Sequence, residues 1–317
     1  TKKYGFQKAK SIRGEGVNAV EWLIDFIKTE NFDCDFRREG RFHGAHTPIE
    51  FKKMVSESKD LKENEGIETQ IISKSDQKNE INSDLYHGGV VFPQHASLNA
   101  AKYHKDLIEK GTQLGVSVIS NCEMVDFKKK FDEFSVLTNK GPLKANNLIV
   151  ATNGYTSNVT PWLNKRNIPI GSYVITTEEL PNDYISNLFP TNRHITDTCR
   201  VVYYFRPCPD RKRIIFGGRV SSREISLSKS APLLLKDLKR VFPNLPELKI
   251  SHSWMGYVSY TFDNLPHIGF EDGLYYSMGY CGSGIALSSY LGMKLGKKVI
   301  GDNDGATAFD SLKFPTR

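Results

Sequence analysis

Apolar positions recur along this chain with two periods, and the change from one to the other divides it. From Val17 to Phe32, the residues Val17, Val20, Trp22, Leu23, Phe26 and Ile27 share one helical face, which predicts an amphipathic helix after a polar, basic opening segment. Asp33 to His43 alternates as a strand does, and a helix is expected near Pro48–Ser58. Residues 55–85 are rich in Lys, Glu, Ser and Asn, which predicts an exposed helix and loops. The run Tyr86 to Pro93 reads as a glycine-led strand closed by proline, and Ser97-Leu98-Asn99 caps a helix reaching about Leu114. Strands are then expected at Gly115–Ile119, Met124–Phe127, Phe134–Thr138 and Asn147–Thr152. Of these, Leu148–Ala151 is continuous and apolar, as a central parallel strand would be.

Between Ile168 and Gly256 the alternation lengthens. Strands are expected at Gly171–Thr177, Arg200–Arg206, Arg213–Arg219 and Lys249–Trp254, with a helix over Leu233–Phe242 between prolines. That is the texture of an antiparallel sheet and of a second domain. The expected division puts residues 1–32, 86–165 and 262–317 in one domain and residues 33–85 and 166–261 in the other. A chain that crosses twice between domains is expected to place a site where they meet.

The chemistry-bearing stretch is Gly279–Gly301. The apolar run Leu274–Met278 passes through Gly279, Gly282 and Gly284 into a helical apolar pattern, which predicts strand, tight turn and helix. Glycines let backbone approach a ligand, and a helix N-terminus carries about half a positive elementary charge, so such a turn suits an anionic or electron-rich group. A turn that only packs a helix on a strand has the same spacing, and both readings stand on spacing alone. Gly14-Glu15-Gly16 also opens a helical pattern, but no buried apolar strand precedes it, so it is not a dinucleotide-binding turn.

Composition narrows the classes. No apolar run approaches the roughly 20 residues of a membrane span, and the chain reads as a cytosolic type of sequence. The net charge of +7 comes from scattered basic residues without an aromatic stripe, so no nucleic-acid partner is expected. The five cysteines are far apart with no CxxC, which predicts free thiols. His43, His46 and Glu50 have no convincing third ligand, so hydrogen-bonded histidines are expected and no metal.

Taken in order, YHGGVVFPQHASLNAAKY, NLIVATNGYT, IIFGGR, WMGYVSYTFDNLPHIG and GYCGSGIALSSYLG resemble the FAD-dependent oxidoreductases of the D-amino-acid oxidase superfamily over nearly all of residues 15–317. The resemblance is strongest to the branch holding γ-glutamylputrescine oxidoreductase, glycine oxidase and sarcosine oxidase. It implies an α/β (mixed α+β) fold: an FAD-binding Rossmann-like domain, here without the family's first βαβ unit and its GxGxxG, plus an antiparallel-sheet substrate domain. It implies noncovalent FAD, because the cysteine that links flavin in sarcosine-oxidase-like members aligns with Gly256. Val125 would lie along the adenosine by its backbone; Ala151, Thr152, Asn153 and Gly154 would close on the diphosphate and ribityl chain. Gly279, Tyr280, Cys281, Gly282, Ser283, Gly284 and Ile285 would sit under the isoalloxazine.

The implied reaction removes a hydride from the carbon bearing an amine, giving an imine that water hydrolyses. The substrate is a small-molecule amine or amino acid, with a γ-glutamylated or other polyamine-type compound as the leaning, and the acceptor is oxygen or an electron carrier. Tyr204, Arg219 and Tyr257 are the candidate substrate contacts, and Arg38 and Arg41 are weaker ones. For Arg219 a salt bridge, and for the tyrosines core packing, are the competing roles. Two lysines of sarcosine-oxidase-like members align with Ala286 and Ile215, which argues against a simple N-methylglycine substrate and leaves oxidase and dehydrogenase open. The alternatives are a flavin dehydrogenase of glycerol-3-phosphate type, a flavin-dependent tRNA-modifying protein, and a truncated, non-catalytic chain.

Overall fold

The computed structural model describes residues 3–199, 202–219, 223–310 and 312–316. Helix formation begins earlier than the apolar pattern suggests: α1 spans Phe6–Thr29. Its opening turns are rich in Gln, Lys, Ala and Arg, good helix formers, so propensity extends the helix beyond its amphipathic half. The buried stripe is Ala19, Leu23, Ile24 and Ile27, while Val17 is exposed. Gly14-Glu15-Gly16 lies inside this helix. The buried Glu15 carboxylate accepts the Tyr290 hydroxyl at 2.9 Å and the Ala308 N–H at 2.6 Å.

The remaining elements follow as β1 (Arg41–Gly44), α2 (Pro48–Glu65), β2 (Gln70–Ile72), β3 (Gly89–Phe92), α3 (Ala100–Gln113), β4 (Met124–Lys130), β5 (Glu133–Thr138), β6 (Gly141–Ala145) and β7 (Leu148–Val150). After them come α4 (Pro161–Asn164), β8 (Ile168–Thr177), α5 (Asn182–Leu188), β9 (His194–Asp197), β10 (Tyr204–Pro207), β11 (Ile214–Gly218), α6 (Leu227–Val241), β12 (Ile250–Tyr260), β13 (His267–Glu271), β14 (Leu274–Met278) and α7 (Gly284–Val299). Residues Arg200 and Val201 of one expected strand lie outside the described residues. Asn99 caps α3 through Oδ1, which accepts from the N–H groups of Ala101 and Lys102.

The strand expected at Gly115–Ile119 is absent. Gly115, at φ +90°, ends α3, with the Val116 N–H returning to the Gly111 carbonyl at 2.9 Å. Val116, Val118 and Ile119 are then more than half exposed. β-propensity without a partner strand yields no ladder. Helix α6 likewise starts before the proline expected to precede it and holds Pro232 within its second turn.

Contacts gather the chain into two units. The first comprises Thr1–Phe32, His104–Ile170 and Tyr257–Arg317, and the second Asp33–Tyr103 and Gly171–Gly256. In the first, β7 runs parallel to β14, which pairs antiparallel with β13, and β4, β5 and β6 form a separate antiparallel meander. Phe134, Val136, Val150, Leu274, Tyr276 and Met278 make the core between these sheets. On the other side Ala19 of α1 packs with Ile268, Tyr290, Leu291 and Leu295, so that the sheet lies between meander and helices.

The second unit is built on an eight-stranded sheet of order β12-β8-β11-β10-β9-β1-β3-β2. Strand alternation sorts its side chains cleanly. Phe42, Tyr173, Ile175, Ile195, Phe205 and Phe216 face a core shared with Leu234, Leu238 and Val241 of α6. The opposite face carries Arg41, His43, His194, Thr196, Tyr204 and Arg206, aligned by the pairings Arg41–His194, His43–Thr196 and Tyr204–Thr196. Replacing Glu15 with Ala strands two donors in the first unit, so Glu15→Ala is expected to cost about 2 kcal/mol in a urea-unfolding measurement, against near zero for Asp25→Ala at an exposed position of the same helix.

Candidate functional site

Strand β14 delivers the chain into a turn that only unusual backbone can make. Gly279 and Gly282 have φ of +81° and +95°, and Cys281 between them is also left-handed at +49°. A Cβ on Gly279 would come within 2.3 Å of Thr261 Cγ2, so glycine is required there for space as well as for torsion. Cys281, a non-glycine residue at positive φ, is where strain is held; its N–H donates to the Ser259 carbonyl at 3.2 Å and its thiol to the Gly279 carbonyl at 3.1 Å. Burial pushes this thiol's pKa up.

Helix α7 begins directly after the turn. Its N-cap residue, Ser283, makes no side-chain cap bond, which leaves the N–H groups of the first turn, Gly284 to Ala286, free of that partner. Gly284 has open space where a Cβ would stand. The helix dipole adds partial positive charge at the same point.

The Thr152-Asn153-Gly154 segment after β7 closes on this turn. Asn153, left-handed at φ +44°, accepts the Gly279 N–H on its side-chain Oδ1 at 3.0 Å, and its own carbonyl accepts the Thr156 hydroxyl at 2.7 Å. A Cβ on Gly154 would lie 2.7 Å from the Tyr257 carbonyl oxygen. Tyr155 stands edge-on to Tyr257 at 5.3 Å between ring centroids. A cavity of about 450 Å³ opens here, lined by Ile149, Ala151, Asn153, Tyr280, Gly284 and Ile285 among others.

The structure thus brings together Ala151 to Gly154, Gly279 to Ile285 and Tyr257 within the first unit. Val125 is not among the residues lining the cavity. It lies on β4 where the register with β5 slips between Met124 and Asp126, so its own backbone is left out of the ladder. Gly256 lies on β12 in the second unit, as do Tyr204 on β10 and Arg219 just past β11. The Tyr204 hydroxyl bonds Ser172 at 2.7 Å, and its ring covers Gly217, where a Cβ would meet it at 2.2 Å. Burial raises the Tyr204 pKa, with the Ser172 bond opposing. Arg38 and Arg219 have interactions of their own.

His43 bonds Thr196 at 2.9 Å, and His46 pairs with Asp197 at 2.9 Å, both as hydrogen-bonded histidines. All five cysteines are free thiols. Sequence reading missed Ser288, Gly292 and Gly296, which line the same cavity further along α7. Their signal was present as small residues four apart from Gly284, on one helical face.

A mixed α/β chain whose parallel strand pair leads through a strained glycine elbow into an open helix N-terminus has the build of a nucleotide-cofactor oxidoreductase. The chain belongs to the DAO family of FAD dependent oxidoreductases, which it matches over residues 9–297. It is 28% identical over 322 residues to γ-glutamylputrescine oxidoreductase of Escherichia coli (strain K12), covering 98% of this chain and 73% of that protein. It is 25% identical to the probable oxidoreductase OrdL of Haemophilus influenzae, over 99% of this chain and 73% of the relative. In fold it resembles the crystal structure of glycine oxidase from Geobacillus kaustophilus, with a TM-score of 0.79 and 16% identity over 95% of this chain and 81% of that one. No helix among the described residues is long and apolar enough to cross a membrane.

The residues present fit FAD: the first turn of α7, without a side-chain cap from Ser283, has N–H groups and a dipole that would suit an electron-rich cofactor edge, and Gly284 leaves open space beside them. Asn153→Ala removes the acceptor that holds the Gly279 N–H. It is expected to cost about 1 kcal/mol and to speed hydrogen exchange of the Gly279 amide several-fold, measured by NMR, with distant helix amides unchanged.

Proposed function

We propose that this chain oxidises the carbon–nitrogen bond of an amine or amino acid with noncovalent FAD, and that its substrate is γ-glutamylated or otherwise polyamine-like. The observation that carries the oxidoreductase reading is the elbow: strained backbone at Cys281 and Asn153 is maintained to present one uncapped helix N-terminus. The substrate leaning rests on the similarity to γ-glutamylputrescine oxidoreductase.

When bound, FAD supplies a two-electron acceptor for hydride. The chain's own residues do the rest. The N–H groups of Gly284 to Ala286 would hold the electron-rich edge of the bound group, and being fixed in a helix they would need no reorganisation. Tyr257, whose carbonyl approaches Gly154 closely, is a proposed substrate contact. Tyr204 is a second: with its pKa raised, its hydroxyl stays protonated through neutral pH and serves as a hydrogen-bond donor rather than a base. Arg219 is the third, as a carboxylate-binding guanidinium. Loss of hydride from carbon and of a proton from nitrogen leaves an imine, which water cleaves to a carbonyl compound and an amine or ammonia.

The purified protein is expected to be yellow, its visible flavin band bleached without oxygen by γ-glutamylputrescine or another amine of a substrate panel. Heat or acid is expected to release all the flavin into solution. A protein that holds flavin which no amine bleaches contradicts the amine-oxidising reading, and flavin that stays with the denatured chain contradicts noncovalent binding.

A further inference from the structure

Strand β14 stands between two cavities of the first unit. Ser277 lines the one at the elbow, and its neighbour Tyr276, on the opposite face of the strand, lines a smaller one of about 110 Å³. No described residue lines both. The smaller cavity is well below the roughly 300 Å³ at which drug-sized sites begin, so it suits a short chain.

Its walls are apolar and mostly aromatic: Phe127 of β4, Trp162 and Leu163 of α4, and Leu274 and Tyr276 of β14. The Trp162 and Tyr276 rings lie 5.5 Å apart between centroids with their planes 55° apart, so they make a corner and not a stack. Tyr276 is exposed over only 8% of its surface, and its phenol oxygen sits over Gly269 of β13, where a Cβ would come within 2.9 Å of it. Among the described residues none bonds that hydroxyl. A buried hydroxyl without a partner costs stability, and this one belongs to a cavity wall.

The rim is acidic. Glu271 and Asp272, at the turn from β13 to β14, are exposed and line the same cavity, and no described residue forms an ion pair with either. Burial and then the Glu271 charge lift Tyr276 to about 12, with Arg166 opposing, so the hydroxyl is neutral at physiological pH and able both to donate and to accept. Two cations stand close by and are already engaged. Arg166 lies 3.8 Å from the Trp162 ring centroid and donates to the Trp162 and Phe314 carbonyls at 2.8 and 3.1 Å. Lys129 lies over Phe134 and Phe270 at 5.5 and 5.9 Å. Neither is among the described residues lining the cavity, and both show that the rings of this unit draw cations.

Aromatic walls, an unbonded phenol and a carboxylate rim suit a ligand with an apolar stem and a cationic head. A plain hydrocarbon would leave the hydroxyl and the carboxylates unanswered, and an anion would be repelled by them. We propose that this cavity binds a short primary alkylammonium ion, its chain against Phe127, Trp162, Leu163 and Leu274 and its ammonium between Tyr276 and Glu271. The site involves neither flavin nor turnover, so it stands or falls separately from the amine-oxidising reading.

The purified full chain is titrated with n-butylammonium chloride and followed by NMR at the indole N–H of Trp162, assigned by its loss in Trp162→Phe. A saturable shift is expected, with 1-butanol, which has the stem without the charge, binding about tenfold more weakly. Glu271→Gln and Asp272→Asn made together are expected to weaken butylammonium about tenfold and to leave 1-butanol unchanged. Both positions are exposed, and Asn tolerates the left-handed φ of +49° at residue 272, so the pair tests charge without disturbing the core. Tyr276→Phe, which keeps the ring, is expected to weaken butylammonium about threefold. The proposal is overturned if no saturable shift appears, if sodium chloride at equal ionic strength reproduces it, if 1-butanol binds as well, or if the double variant keeps full affinity. Bleaching of flavin by an amine with this cavity empty leaves the elbow reading standing and removes this site alone.

Discussion

The hydrogen bond from the Gly279 N–H to Asn153 Oδ1 is the interaction on which the site depends. It joins two loops that each leave a strand of the same parallel pair, β7 and β14, and each loop pays for its shape with a left-handed non-glycine residue, Asn153 and Cys281. Backbone of this kind persists only where its surroundings over-determine it. Here they do. Gly154 admits the Tyr257 backbone, Gly279 admits Thr261, and the Asn167 side chain ties the Asn153 carbonyl to Ser259 through bonds of 3.3 and 2.6 Å. The outcome is a helix start that is positioned from several directions yet capped by none.

The rest of the first unit supports that arrangement. The core between the meander and the sheet holds β7 and β14 level, and α1 braces α7 from the other side through the buried Glu15 that Tyr290 and Ala308 share. The second unit follows a different rule. One face of its large sheet is packed with aromatic and aliphatic side chains, and the other carries Arg41, His43, His194, Tyr204 and Arg206. Several groups on that polar face are screened from water, and among the described residues Arg41 Nε and His194 Nδ1 are buried without a hydrogen-bond partner, which costs the unit stability.

Much of this was legible in the sequence because the elbow obeys local rules. Three glycines between an apolar run and a helical period identify strand, turn and helix, and the structure places α7 at Gly284. The alternation in the middle third likewise placed β8 and β11 to within a few residues and the start of β12, which runs on past the expected Trp254 to Tyr260. Where reading failed, tertiary context had overridden a local signal. Val116, Val118 and Ile119 have strand character but no partner strand, and the Gly14-Glu15-Gly16 run of α1 is tied through Glu15 to residues nearly three hundred positions away, which no local pattern announces.

The central claim, that the flavin's electron-rich edge rests on the start of α7, is tested most directly by hydrogen–deuterium exchange of the purified chain with and without saturating FAD. The account predicts that FAD slows exchange at the amides of Gly282 to Ala286, which lie at the helix's uncapped start, by more than at any exposed loop. Exchange unchanged there while FAD protects another part of the chain would contradict it.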